Sequence, residues 1–192
     1  MKKILFFILS SVLLLNACGM TFKQTSLPLS GEQIAVITTN MGVIKFKFFP
    51  QYAPETVKSF IELAKKGFYD GLIFHRVVPG FVIQNGDPTG DGTGGETYKG
   101  PGTTLKAEIS KELSHIYGAV AMARKGGDLN SATSQFYIVQ NRDGAASLDG
   151  QYTIFGQVFE GIDVVDKIAR VPRDSADKPL ASVVMEKVAI LP

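Results

Sequence analysis

Apolar and polar residues alternate along most of this chain in short runs divided by glycine-rich turns. Ile34 to Thr39 and Val43 to Phe49 read as two strands around Asn40-Met41-Gly42. In the second, Ile44, Phe46 and Phe48 fall on one face, and Val43, Lys45 and Lys47 on the other. Comparable segments recur at 73–78, 81–85, 118–123, 135–139 and 152–158, and a last one runs from Val183 to Ile190. Two stretches carry a helical period instead. Pro54 to Lys66 has proline at a first helical position, Gly67 just past its end, and a stripe of Val57, Phe60, Ile61 and Ala64. Ile162 to Arg170 is a shorter helix. Many short strands with two helices predict a mainly β domain, barrel or sandwich, with helical caps. Periodicity alone does not choose between the two.

The first residues break this pattern. Lys2 and Lys3 precede an apolar run from Ile4 to Leu15, which is short of the roughly 20 residues that span a membrane. Residues 1–17 read as a secretory signal peptide. The run ends in Leu15-Asn16-Ala17-Cys18-Gly19, which resembles the lipobox of bacterial lipoproteins, with Cys18 as the lipidated residue. Cys18 is the single cysteine, so no disulfide forms within one molecule. Residues 18–33 are polar, with Ser26, Pro28, Ser30 and Gly31, and read as a lipidated N-terminus and tether. Residues 34–192 form one domain, large enough for a sizeable core. Removing residues 1–17 takes away two lysines and no acids. Lys+Arg falls from 20 to 18 against 18 Asp+Glu, so the mature chain is formally neutral. Nothing in this charge balance points to nucleic-acid binding through a basic face. The expected location is the cell envelope, at the extracytoplasmic face of a membrane. Gly19 after the cysteine favours an outer membrane where one exists.

The chemistry concentrates in Phe74-His75-Arg76-Val77-Val78-Pro79-Gly80-Phe81-Val82-Ile83-Gln84-Asn85-Gly86-Asp87. A reversal at Pro79-Gly80 would bring Arg76 and Gln84 to one surface. Phe81 and Ile83 would alternate with Val82 and Gln84, and His75 would point away from the face of Arg76. The block offers a fixed cation and an amide beside apolar side chains, and no nucleophile. Other readings are poorer. The stretch Gly90 to Glu96 lacks the lysine of a phosphate loop and the acid spacing of an EF-hand, and reads as a surface loop. With two histidines and one cysteine, no metal site is expected. Ser134 and Asp149 could be imagined in a catalytic triad, but no nucleophile elbow surrounds any serine.

Taken with Gly94-Gly95, Gly118-Ala119-Val120-Ala121-Met122-Ala123, Ser134-Gln135-Phe136 and Leu148-Asp149-Gly150, that block resembles the cyclophilin family of peptidyl-prolyl cis-trans isomerases. The resemblance runs from about Ile34 to Ile190. It implies an eight-stranded antiparallel closed barrel capped by two helices, with the active groove on the barrel's outside. By position it makes Arg76 the catalytic arginine and Gln84 the peptide-holding glutamine. It lines the proline pocket with Phe81, Val82, Tyr137 and Leu148. Ala123 and Arg124 fall where the family pairs backbone with the substrate, Gln135 lies beside the groove, and Tyr152 stands at the pocket rim where many relatives carry histidine. The chain departs from the family's common residues at Val82 (methionine), Tyr137 (phenylalanine), Arg124 (asparagine) and Ser147 (tryptophan or another aromatic). The last departure predicts weak cyclosporin binding.

These residues suit rotation about an X-Pro bond, whose partial double-bond character sets a barrier of roughly 20 kcal/mol. In the rotated state the prolyl nitrogen gains a localised lone pair. A donor aimed there acts more strongly on the transition state than on the ground state. Arginine offers several donors and accepts nothing. No cofactor is needed. The expected partners are proline-containing unfolded or flexible polypeptides and a membrane reached through Cys18, with the protein a monomer. An isomerase for exported proteins is the leading reading. The alternatives are a chaperone-like binding module using the same groove and a small-ligand barrel, the latter opposed by the many bulky residues that would fill its interior.

Overall fold

The structure is a computed structural model, described here over residues 24–192. The expected signal peptide and the expected lipidation site Cys18 lie outside the described residues. The strands are β1 (Ile34–Thr39), β2 (Gly42–Phe48), β3 (Arg76–Val78), β4 (Val82–Asn85), β5 (Glu96–Thr97), β6 (Gly100–Pro101), β7 (Ala119–Met122), β8 (Phe136–Val139), β9 (Ile154–Glu160) and β10 (Met185–Leu191). The helices are α1 (Pro54–Lys65), α2 (Arg142–Ala145) and α3 (Ile162–Ala169), with a 3-10 turn at Ala146–Leu148. Eight strands form one antiparallel sheet in the order β10-β1-β2-β9-β7-β8-β4-β3, and β5 and β6 pair separately.

The expected eight-stranded antiparallel sheet is present, but full closure overstates it. Edge strands β3 and β10 do not pair along their length. The gap is spanned just outside them by the Ile73–Val184 bridge and by Phe74 N–H donating to the Val183 carbonyl at 2.9 Å. β3 is only three residues long, and its Val77 N–H is taken by the Asp177 carbonyl at 2.8 Å. A short edge already covered by a loop has little left to offer a partner strand. Both expected helices are present, and among the described residues a further four-residue helix, α2, stands beside them. The 142–148 segment is too brief to show a helical stripe, so its period is invisible in the sequence.

The sheet is buried on two faces over much of its width, and this decides where a site can form. On the inner face Phe46, Tyr69, Phe136 and Phe155 surround Phe60 of α1 at ring separations of 5.4, 4.7, 5.5 and 5.6 Å. These rings fill the interior. On the outer face Val82, Ala119, Ala121, Tyr137, Val139, Ala145 and Ile154 make a second, smaller cluster, with Phe81, Leu148 and Tyr152 packed at its margin. The alternation is strict: Ile83, Val120, Met122, Phe136 and Ile138 belong to the inner cluster, and their strand neighbours to the outer one. Alanines at 119 and 121 are fully buried within that cluster.

In the segment before β1, Gln24 is buried and docked rather than free. Its side-chain amide donates to the Ser114 carbonyl at 2.8 Å, and its oxygen accepts from Ser114 N–H at 3.2 Å. Lys47 Nζ donates to Ser26 Oγ at 2.8 Å, and Lys47 is buried despite its charge.

Candidate active site

The β3–β4 hairpin turns as the sequence indicates. Phe81 N–H returns to the Val78 carbonyl at 3.0 Å, and Gly80 sits at φ +76°, a conformation that suits glycine at the third position of such a turn. The register pairs Arg76 with Gln84. Both side chains therefore leave the sheet on the outer face, and Arg76 Nη1 lies 3.5 Å from Gln84 Oε1. Gln84 Nε2 donates to Gln135 Oε1 at 2.9 Å, and Gln135 Nε2 donates to the carbonyls of Gly92 and Gly94 at 3.0 and 2.7 Å. This chain of amides fixes the orientation of Gln84 and turns its oxygen towards the guanidinium. Alternation was expected to put Phe81 on the side of Ile83. Phe81 instead precedes the strand, and it faces the groove with its ring 5.9 Å from the Arg76 guanidinium carbon.

A cavity of about 170 Å³ opens beside Arg76. Its lining comprises Arg76, Phe81, Val82, Gln84, Ala123, Arg124, Tyr137, Leu148 and Tyr152. These are the residues singled out from the sequence, save Gln135. Gln135 instead lines an adjoining cavity of about 560 Å³ that shares Gln84, Ala123 and Arg124 with the first. Arg124 is held between the two. Its guanidinium lies over the Tyr152 ring at 4.3 Å, while Nε and Nη1 donate to the carbonyls of Gln151 and Lys125 at 3.2 and 3.0 Å. Ala123 N–H is taken by the Gln135 carbonyl at 2.9 Å. Among the described residues the backbone of Arg124 has no such partner.

The larger cavity holds what sequence reasoning missed. Gly92 to Gly95, Thr103, Thr104, Lys125 and Thr133 form its walls. The Gly90–Glu96 stretch is therefore more than a surface loop. Asp87 organises it by accepting N–H bonds from Thr89, Asp91 and Gly92. Burial alone would raise the Asp87 carboxyl, but these bonds and that from the Thr89 hydroxyl hold it below its ordinary value. A Cβ at Gly95 would meet the Thr133 hydroxyl, so the close approach of this loop to the 133–135 segment requires glycine. The pair Gly94-Gly95 was the available signal.

Three polar groups settle elsewhere. Ser134 Oγ donates to the Gly86 carbonyl at 2.6 Å and has no part in a triad. His75 is buried outside both cavities, and burial lowers its pKa from the ordinary value of 6.5. Asp149 meets His115 instead of Ser134. His115 Nδ1 lies 2.8 Å from Asp149 Oδ1, and His115 Nε2 lies 3.0 Å from the Tyr137 hydroxyl. That hydroxyl is thus satisfied at the rear of the cavity.

Comparison with known proteins bears on this arrangement directly. Residues 34–190 match the family described as cyclophilin type peptidyl-prolyl cis-trans isomerase/CLD. A Staphylococcus saprophyticus protein named "Putative peptidyl-prolyl cis-trans isomerase" is 36% identical over 197 residues, covering 88% of this chain and 98% of that protein. A Staphylococcus aureus protein of the same name is 37% identical over 186 residues, covering 83% and 92%. A Cryptosporidium parvum cyclophilin-type isomerase of known structure superposes with a TM-score of 0.78 at 35% identity, over 84% of this chain and 98% of that one. The same parasite enzyme has been crystallised in the presence of the dipeptide Ala-Pro, and that structure also gives a TM-score of 0.78. By sequence and by fold, the chain belongs to the cyclophilin-type peptidyl-prolyl cis-trans isomerases.

Proposed function

We propose that this isomerase rotates X-Pro bonds of exported proteins while held at a membrane by lipid on Cys18, with Arg76 as the donor that stabilises the rotated bond. The observation that carries the catalytic part is the position of Arg76. Its guanidinium borders an apolar cavity walled by Phe81, Val82, Tyr137 and Leu148. A proline ring seated there brings its nitrogen towards the guanidinium. Gln84, fixed by Gln135, holds the guanidinium on one side and offers an amide to the peptide. The backbone of Arg124 pairs with the chain preceding the proline. With the ring fixed, the preceding carbonyl swings as amide resonance is lost. The guanidinium donates to the lone pair that appears on nitrogen, an interaction absent from the planar ground state. No proton is transferred and no covalent bond breaks.

The export part rests on the sequence of residues 1–18, with its basic start, short apolar run and single cysteine. One acyl chain binds a membrane only marginally, and additional chains bind it firmly. X-Pro isomerisation takes tens to hundreds of seconds unaided, so an enzyme at the membrane face would relieve a slow step for emerging chains. A coupled isomerisation assay on a short X-Pro peptide tests the activity, and a full-length protein giving no rate above the thermal one rejects it. Fractionation tests the anchor. Cys18→Ser should leave the membrane fraction or remain unprocessed. Unchanged membrane association with normal removal of residues 1–17 would reject lipidation.

A further inference from the structure

Tyr137 poses a problem that the groove alone does not solve. It lines the cavity beside Arg76, is 4% exposed, and carries a hydroxyl that must find a partner. His115 supplies it from the loop before β7, on the same outer face. It is fully buried, and its ring lies nearly parallel to that of Tyr137 at 6.0 Å. Asp149 decides which nitrogen carries the proton. Asp149 Oδ1 accepts from the His115 backbone N–H at 2.7 Å and lies 2.8 Å from Nδ1. A carboxylate only accepts, so Nδ1 carries the hydrogen and Nε2 keeps its lone pair. The Tyr137 hydroxyl then donates to Nε2. Arg142 Nη2 completes the line by donating to Asp149 Oδ2 at 2.7 Å. Burial holds the imidazole below its ordinary value of 6.5, so it is neutral and able to accept, while Asp149 opposes that shift.

We infer that His115 is a positioning residue of the proline cavity: it draws the Tyr137 hydroxyl away from the cavity and couples that ring, through Asp149, to the opposite wall at Leu148. Leu148 and Asp149 are consecutive, so the bond that fixes Asp149 also fixes the end of the 3-10 turn from which Leu148 enters the cavity. The four groups come from the loop before β7, from β8, from α2 and from the residue after the 3-10 turn. The two apolar walls are thereby registered by a buried polar line that touches no substrate. A histidine serving only to fill space would not need both ring nitrogens engaged, one of them by a cavity-lining hydroxyl. This inference rests on the cavity being the proline site.

A double-substitution cycle in the full chain tests it, read as affinity for an Ala-Pro-containing peptide by NMR titration, which does not depend on turnover. His115→Leu strands the hydroxyl and should weaken binding roughly tenfold, the scale of one buried unsatisfied polar group. Adding Tyr137→Phe removes the stranded group and should recover most of that loss. A double variant no better than His115→Leu overturns the inference, since loss of packing would not be relieved by deleting a further group. If His115→Leu does not fold, the wild-type imidazole nitrogen shifts decide instead. They should report a neutral ring protonated at Nδ1. A ring protonated at Nε2 overturns the inference. Failure of the peptide to perturb Tyr137 or Phe81 resonances would instead reject the cavity as the proline site.

Discussion

The two walls of the cavity beside Arg76, the proposed proline site, are built in opposite ways. The Arg76 wall is a hairpin whose turn, register and facing side chains follow from local sequence logic: proline, then glycine, then alternation. The Leu148 wall is a pair of short helical turns, 142–148, with no hydrophobic period to place it. Its position comes from long-range polar contacts of Arg142 and Asp149 with the backbone of His115, and the two are joined to each other by the Arg142–Asp149 bond. The walls also touch directly, since a Cβ at Gly144 would run into the Gly80 carbonyl of the hairpin turn. The contrast suggests a division of labour. The locally encoded wall carries the charge proposed to act on the reacting bond, where placement must be dependable. The remotely tethered wall carries apolar contact, where small adjustments can follow the substrate.

The largest effect should come from the Arg76 wall. Arg76→Ala removes one preorganised donor, and losses of that kind cost about a hundred- to thousandfold in rate. The variant should fold normally and bind X-Pro peptides within severalfold of wild type. Phe81→Ala should lose binding and rate together, because it removes apolar contact from both ground and transition states. Unchanged turnover in Arg76→Ala would keep the fold and discard the mechanism.

Next comes the seam between the walls. Gly144→Ala should force α2 away from the 78–81 turn and destabilise the fold by about 1–3 kcal/mol, the usual scale of overpacking. Urea denaturation measures that loss, and peptide affinity should fall with it. A neutral result would mean that the two walls are not held against each other.

Acidification should act mainly on the two buried histidines, His75 and the His115 of the polar line. His115 and His75 both have folded pKa values lowered by burial from 6.5. The unfolded chain therefore binds more protons than the folded one as pH falls below about 6.5. Stability should be full above that pH and decline as pH drops towards the folded values. Asp149 adds to the decline at lower pH. Burial alone would raise its carboxyl, but bonds from Arg142 and His115 leave it lowered from 3.8, so its contribution is lost only as it protonates. Thermal unfolding followed from pH 7.5 to 5 checks the histidine part. His115→Leu, where it folds, should flatten the curve.

The smallest effect on turnover should be at Ser147, which is exposed on the 3-10 turn and outside the lining of the proline cavity. Ser147→Trp should leave X-Pro turnover within about twofold, as expected for a surface substitution. It should tighten cyclosporin inhibition by restoring an aromatic that many relatives offer. Unchanged inhibitor affinity would show that this wall presents the 147 side chain differently from theirs.

The sequence by itself determined the β pattern, α1 and α3, and the hairpin with Arg76 opposite Gln84. Each is a matter of period, turn chemistry and register, all of which act over a few residues. It also marked Tyr137, Leu148 and Tyr152 through family resemblance, without saying what holds them. Only the tertiary structure decided that Phe81 escapes strand alternation to face the groove. It decided too that Gly92 to Gly95 wall a second cavity, and that the sheet edges meet through loop bonds and a single bridge. The engagement of His115 is of the same kind: its partners lie 22 and 34 positions away, and nothing in the local pattern distinguishes a histidine that orients a tyrosine from one that fills a gap. Hydrogen bonds between distant segments depend on how the sheet curves. That curvature is set by the packing of both faces at once, a property that no short window of sequence contains.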